Sequence, residues 1–244
     1  MHTQTLHSWD MTAEEAKEQQ TSMRRLVSLT DGFGEIKTIA GVDLSLDTEN
    51  NRGHAIVVVL SYPDFRVLET RYATAPLKMP YIPGLLSFRE SPVALEAFAQ
   101  IETVPNLIMV DGQGQAHPRG FGIACHLGVL LDVPSIGVAK SRLYGHYDAA
   151  ALGDSPGDQV PLTDQRGQHV IGSVVRTKLR TNPLFISPGH KVSVESATRL
   201  VLDCIRGYRL PEPTRQAHNL ITAYKKESAA GLLPETSTQE SLPL

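Results

Sequence analysis

Three carboxylates stand where a carboxylate needs a reason. Asp43 interrupts an otherwise apolar, strand-like run, Ile39-Ala40-Gly41-Val42-Asp43-Leu44-Ser45-Leu46. A charge inside such a run costs several kcal/mol unless it is paired or binds a cation. Asp111 follows the apolar run Leu107-Ile108-Met109-Val110 and leads into Gly112 and Gly114. Glu90 closes the segment that begins at Pro80, just before Ser91-Pro92. An Asp-Gly pair after a strand also serves as an ordinary turn, so Asp111 takes its meaning from the other two acids. Carboxylates on three separate elements can converge on hard divalent cations, which prefer oxygen ligands. The chemistry this suggests is metal-assisted cleavage of phosphodiesters.

The elements that must position these acids follow from periodicity and turn signals. Thr12-Ala13-Glu14-Glu15 fits a capping box and predicts a surface helix to about Leu29. Strand patterns at 36–46, 54–62 and 66–74 are joined by turn chemistry, Asn50-Asn51-Arg52-Gly53 and Pro63-Asp64, and predict an antiparallel meander with Asp43 on its first strand. Pro80-Tyr81-Ile82-Pro83-Gly84 cannot be regular structure, because each proline fixes its own φ and removes a donor. A stiff loop tipped by Tyr81 and Ile82 suits wedging between bases; a rigid turn packed into the core is the plainer alternative. Ser91-Pro92 predicts a helix start. Leu107–Val110 reads as an interior strand, Phe121–Leu131 as a buried helix and Ser135–Ala139 as a second strand, with Lys140 at its end. Strand, helix, strand in that order implies a parallel crossover that brings Asp111 and Lys140 to one edge of the sheet. Residues 148–167 read as loop. Strands follow at 169–178 and 183–186, then a helix from Ser193 to about Ile205, and another that is capped by Thr214, carries His218 and ends near Lys226.

At 244 residues and 41% hydrophobic content, the chain is long enough for one sizeable domain, expected over 1–226, with 227–244 as a disordered tail. Cys125 and Cys204 have no zinc or disulfide spacing, and no apolar run is long enough to cross a membrane. A cytoplasmic monomer is the expectation. The net charge of −3 hides an asymmetry: residues 1–139 carry 10 Lys+Arg against 16 Asp+Glu, and residues 140–226 carry 13 against 7. An acidic half suits metal ligands, and a basic half suits phosphates.

A meander bearing an Asp, followed by alternating helices and strands with further acids at the sheet edge, resembles the ribonuclease H-like nucleases. The fold expected is α/β, a mixed sheet of an antiparallel three-strand meander followed by parallel strands, flanked by helices. Gly41-Val42-Asp43, Pro80-Tyr81-Ile82-Pro83-Gly84 with Phe88-Arg89-Glu90, Val110-Asp111-Gly112-Gln113-Gly114 with Ala116-His117-Pro118-Arg119, Gly137-Val138-Ala139-Lys140-Ser141 and Ser187-Pro188-Gly189-His190 together closely resemble endonuclease V, the deoxyinosine 3′ endonuclease of DNA repair. The resemblance implies that Asp43, Glu90 and Asp111 bind Mg²⁺, with Mn²⁺ as a substitute, and that Lys140 and His218 join them in catalysis. It also implies a wedge at Pro80, Tyr81, Ile82, Pro83 and Gly84. The pocket for an extruded base would use Leu86, Gly112, Gly122, Ile123 and Leu143, with His117 nearby. The implied substrate is inosine-containing DNA, with inosine in RNA as a further one, cut at the second phosphodiester bond 3′ to the lesion. Two other readings of the same residues are a structure-selective nuclease of this fold, with no use for an inosine pocket, and a non-catalytic nucleic-acid-binding module. His126, on an apolar helix, reads as core.

Overall fold

In the computed structural model, which describes residues 1–229, long β-branched runs form one eight-stranded mixed sheet. Strands β1 (Thr38–Asp47), β2 (Arg52–Ser61) and β3 (Val67–Pro76) make the expected antiparallel meander. β4 (Leu107–Val110) and β5 (Ser135–Ala139) add in parallel, and β8 (Leu184–His190), β7 (Val170–Val175) and β6 (Gln159–Thr163) return antiparallel. The order across the sheet is β3-β2-β1-β4-β5-β8-β7-β6. β6 falls within the stretch expected to be loop; it is the edge strand of the sheet, the place where a proline such as Pro161 is tolerated.

Alternation along β1 assigns the two faces. Ala40 and Val42 pack with α2 (Leu86–Ala99) and α3 (Ile123–Leu131), whereas Ile39 packs on the side of α4 (Val194–Asp203). Asp43 shares the parity of Ile39 and so faces α5 (Glu212–Ala229), whose Ala217 and Ile221 pack on β2. Helix α1 (Ala13–Met23) has the expected capping box and ends in a 3₁₀ turn at Arg24–Leu26, short of Leu29. α5 continues through Ala229, past the expected boundary at 226; the rest of the expected tail, 230–244, lies outside the described residues. Cys125 and Cys204 are buried and unpaired, and among the described residues no helix is long and apolar enough to cross a membrane.

Helix α2 starts five residues earlier than expected. It begins at Leu86, so Glu90 lies inside the helix rather than before it, and Pro92 stands two turns in. Pro92 forfeits one intrahelical bond, to the Phe88 carbonyl, while the helix gains the burial of Phe88, Val93, Ala94 and Phe98.

Gly41 is the point at which α5 meets β1. A Cβ there would lie 1.8 Å from the carbonyl oxygen of Pro213, at the start of α5. Gly41→Ala is expected to destabilise the fold by about 1–3 kcal/mol, the range for overpacking, because the helix must lift off the strand. Thermal melting checks this; an unchanged melting temperature would show that the contact can relax.

Candidate active site

Asp43, Asp111 and His218 converge at the end of β4. Asp111 is the first residue past that strand, and its N–H donates to the Val42 carbonyl at 3.0 Å, which sets it beside Asp43. Helix α5 supplies His218, whose Nδ1 lies 2.9 Å from Asp43 Oδ2. Lys140, one residue past β5, reaches back so that its Nζ contacts Asp111 Oδ2 and lies 3.3 Å from His218 Nδ1. Nδ1 cannot donate to Asp43 and accept from Lys140 at once, so only one of the two contacts is a hydrogen bond in a given tautomer. One ligand atom each from Asp43, Asp111 and His218 lie within 4.8 Å of one another, a grouping that can hold a metal ion.

Glu90 is buried on α2 and is not part of that grouping, but it feels the same field. Burial, then the charges of Asp43 and Asp111, push its carboxyl up to about 8, against the pull of Arg89. Asp43 is also raised, mainly by burial and next by Asp111, while His218 and Lys140 oppose the shift. Buried acids that resist ionisation beside one another are chemically suited to a divalent cation, which removes both penalties.

Beside the acids opens a cavity of about 300 Å³. The expected pocket residues Leu86, Gly112, Gly122, Ile123 and Leu143 all line it, as do Tyr81, Pro83, Gly84, His117, Asp111 and Lys140. Ser87, Gln113, Ala139 and Ser141 are lining residues that sequence reasoning did not single out. Two glycines of the wall serve packing. A Cβ on Gly112 would meet the Ile123 side chain at 2.6 Å, and one on Gly122 would meet the Gln113 carbonyl at 2.2 Å.

Of the loop tip, Tyr81 is 66% exposed, but Ile82 does not share the tip with it: Ile82 packs against Ala16, Met79, Leu85 and Phe88. A branched aliphatic beside an apolar cluster gains more from burial than from water. Pro80 is exposed and stands outside the cavity lining. The loop is anchored at Gly84, in the left-handed region at φ 80°. Its carbonyl accepts from Arg119 Nη2 at 2.7 Å, Gln20 Nε2 at 3.1 Å and His117 Nε2 at 3.1 Å. Burial and the neighbouring Arg119 lower His117 to about 4, so the ring is neutral. Its Nδ1 accepts from the Arg119 N–H, which places the remaining proton on Nε2. His126 is core, as expected: it is fully buried, and burial holds it well below its ordinary range.

The family model described as Endonuclease V matches residues 21–219. The chain belongs to the endonuclease V family. It is 48% identical over 213 residues to endonuclease V of Dehalococcoides mccartyi, covering 87% of this chain and 94% of that protein. The crystal structure of endonuclease V from Streptomyces avermitilis superposes with a TM-score of 0.84 at 36% identity, covering 94% of this chain and 100% of that one. Endonuclease V of Ciona intestinalis, in complex with a 23mer DNA containing an inosine followed by a ribo-adenosine, superposes with a TM-score of 0.76 at 28% identity, covering 89% of this chain and 100% of that one. The expected fold class and family resemblance therefore hold, and as an endonuclease V family member the chain is a nuclease.

The raised Glu90 makes a signed prediction. Its carboxyl binds a proton more tightly folded than unfolded, so its contribution to stability is present below about 4.5 and is lost as pH rises through about 8. In chelator-treated protein, melting temperature is expected to fall across that window, and Glu90→Gln is expected to flatten the fall. A profile identical in both proteins would contradict the buried, charge-repelled acid.

Proposed function

We propose that this endonuclease V family member hydrolyses nucleic acid at deoxyinosine, with Asp43, Glu90 and Asp111 holding Mg²⁺. The observation that carries the reading is the placement of Asp43, Asp111 and His218 beside a cavity large enough for one extruded base. The inosine-containing DNA held by the Ciona relative supports the same substrate. Mg²⁺, or Mn²⁺ in its place, supplies Lewis-acid stabilisation of the phosphate charge.

The protein's own residues do the rest. Asp43, Asp111 and Glu90 provide oxygen ligands, and His218 holds Asp43 in place through Nδ1 or joins the ligand set. Lys140 offers its ammonium to a phosphate oxygen, and its present contact with Asp111 keeps it within reach. Tyr81 fills the gap left in the stack when the lesion base leaves it, with Pro80 and Pro83 stiffening the loop and Ile82 rooting it in the core. Hypoxanthine presents an O6 acceptor and an N1 donor, whereas adenine presents the reverse at those atoms. Guanine shares them but adds an amino group that a tight pocket refuses. Main-chain groups around Gly112, Gly122 and Ile123 can make that distinction, with Leu86 and Leu143 as apolar walls. Family resemblance supports a cut at the second phosphodiester bond 3′ to the lesion, leaving 3′-hydroxyl and 5′-phosphate ends, and inosine in RNA as a second substrate. A monomer in the cytoplasm completes the proposal.

The test is denaturing-gel cleavage of end-labelled strands carrying one deoxyinosine, one inosine in RNA, or no lesion, with Mg²⁺ or EDTA. A Mg²⁺-dependent cut one nucleotide beyond the lesion's own 3′ phosphate is expected, and its rates rank the two substrates. Cleavage indifferent to inosine would favour a structure-selective nuclease, and binding without cleavage a non-catalytic module. Leu86→Trp, at a partly exposed residue of the pocket wall, is expected to cost about 100-fold in inosine selectivity, the scale of a small misplacement. Selectivity unchanged in that variant would remove the base pocket from the account.

A further inference from the structure

Arg209 feels the charge of Asp111 but directs its hydrogen bonds to main-chain carbonyls. It lies between α4 and α5, and among the described residues no carboxylate accepts a hydrogen bond from it. Its bonds go instead to main-chain carbonyls: Nε donates to Asn182 at 2.8 Å, and Nη2 donates to Lys140 at 2.8 Å and to Pro183 at 3.2 Å. Its own carbonyl accepts from the buried Thr177 hydroxyl at 2.6 Å. The fork therefore ties together the exit of β5, the entry to β8 and the segment that leads into α5. A guanidinium presents its donors in a rigid plane, which suits three fixed carbonyls better than a lysine ammonium would.

The member of this set with chemistry to do is Lys140. Its side chain is long and flexible, yet its Nζ is drawn between Asp111 and His218. A side chain of that length stays on target only if its backbone is fixed. His218 lies on the helix that starts three residues after Arg209, so one anchor serves both sides of the Lys140 ammonium.

We propose that Arg209 is a positioning residue that holds Lys140 in register with Asp111 and His218. The inference rests on the role given to Lys140 above. It assigns Arg209 no contact with substrate.

The experiment compares wild type, Lys140→Ala, Arg209→Ala, Arg209→Lys and the Lys140→Ala/Arg209→Ala double variant in single-turnover cleavage of a deoxyinosine strand. Each Arg209 variant is expected to lose about 100-fold in rate, the scale of a small misplacement, with affinity for the strand in EDTA unchanged. The double variant should be no slower than Lys140→Ala alone, because residues acting as one unit are not additive. Arg209→Lys keeps the charge and loses the fork, so a wild-type rate there would overturn the proposal, as would multiplicative losses in the double variant. A second readout needs no turnover: in chelator-treated protein, the NMR signal of the Lys140 ammonium, assigned with Lys140→Arg, should be slow to exchange in wild type and lost in Arg209→Lys. An unchanged signal would overturn the positioning role. A wild-type rate in Lys140→Ala would instead overturn the role given to Lys140, which separates the two failures.

Discussion

The mutual repulsion of Asp43, Asp111 and Glu90 in a desolvated corner is the constraint around which the rest is built. Each acid arrives on a different element, β1, the end of β4 and α2. None can retreat without unpicking core: Asp43 is flanked by Val42 in one cluster, and Glu90 lies between Phe88 and Val93 in the same helix. Ionising such a group without a cation runs against burial and against its neighbours' charge. The protein offsets this in part with Lys140 and His218. The remaining imbalance is what a divalent cation would relieve.

A second device joins the cavity beside the acids to the N-terminal helix. Gln20 is fully buried, and its amide donates to the carbonyls of both Gly84 and Phe121 while accepting from Arg119. Gly84 ends the Pro80–Gly84 loop, and Phe121 precedes the cavity wall at Gly122. One satisfied amide thus fixes the distance between the Pro80–Gly84 loop and the cavity wall at Gly122, the two elements to which the proposed function gives the wedge and the base pocket. Tyr81 is left exposed on a loop whose root is rigid.

What the sequence revealed, it revealed through period and punctuation. Asp43 and Asp111 were conspicuous because a charge breaks an apolar run or ends one, and Lys140 because it ends the next strand. β4 and β5 have the boundaries their patterns predict. The misses have equally physical causes. Ser91-Pro92 looks like a helix start, yet a proline inside α2 is tolerated where Phe88, Val93, Ala94 and Phe98 are buried around it. Ile82 looked like a partner to Tyr81 at the loop tip, but facing in or out is decided by a cluster that includes Ala16, 66 positions earlier. Gln20 and Arg209 carry no local signal at all, and Arg119 enters only as the last residue of a motif, with no role attached. Their roles lie in main-chain carbonyls 27 to 101 residues away, which only the fold brings near.

The central claim, that the acids share a divalent cation, is tested most directly by titrating Mn²⁺ into chelator-treated protein and following free Mn²⁺ by electron paramagnetic resonance. Wild type is compared with folded Asp43→Asn, Asp111→Asn and Glu90→Gln variants. The account predicts saturable binding to wild type that tightens from pH 6 to pH 8, because the buried acids must give up protons to bind metal, and marked weakening in each variant. Undiminished affinity in Asp43→Asn and Asp111→Asn would contradict it.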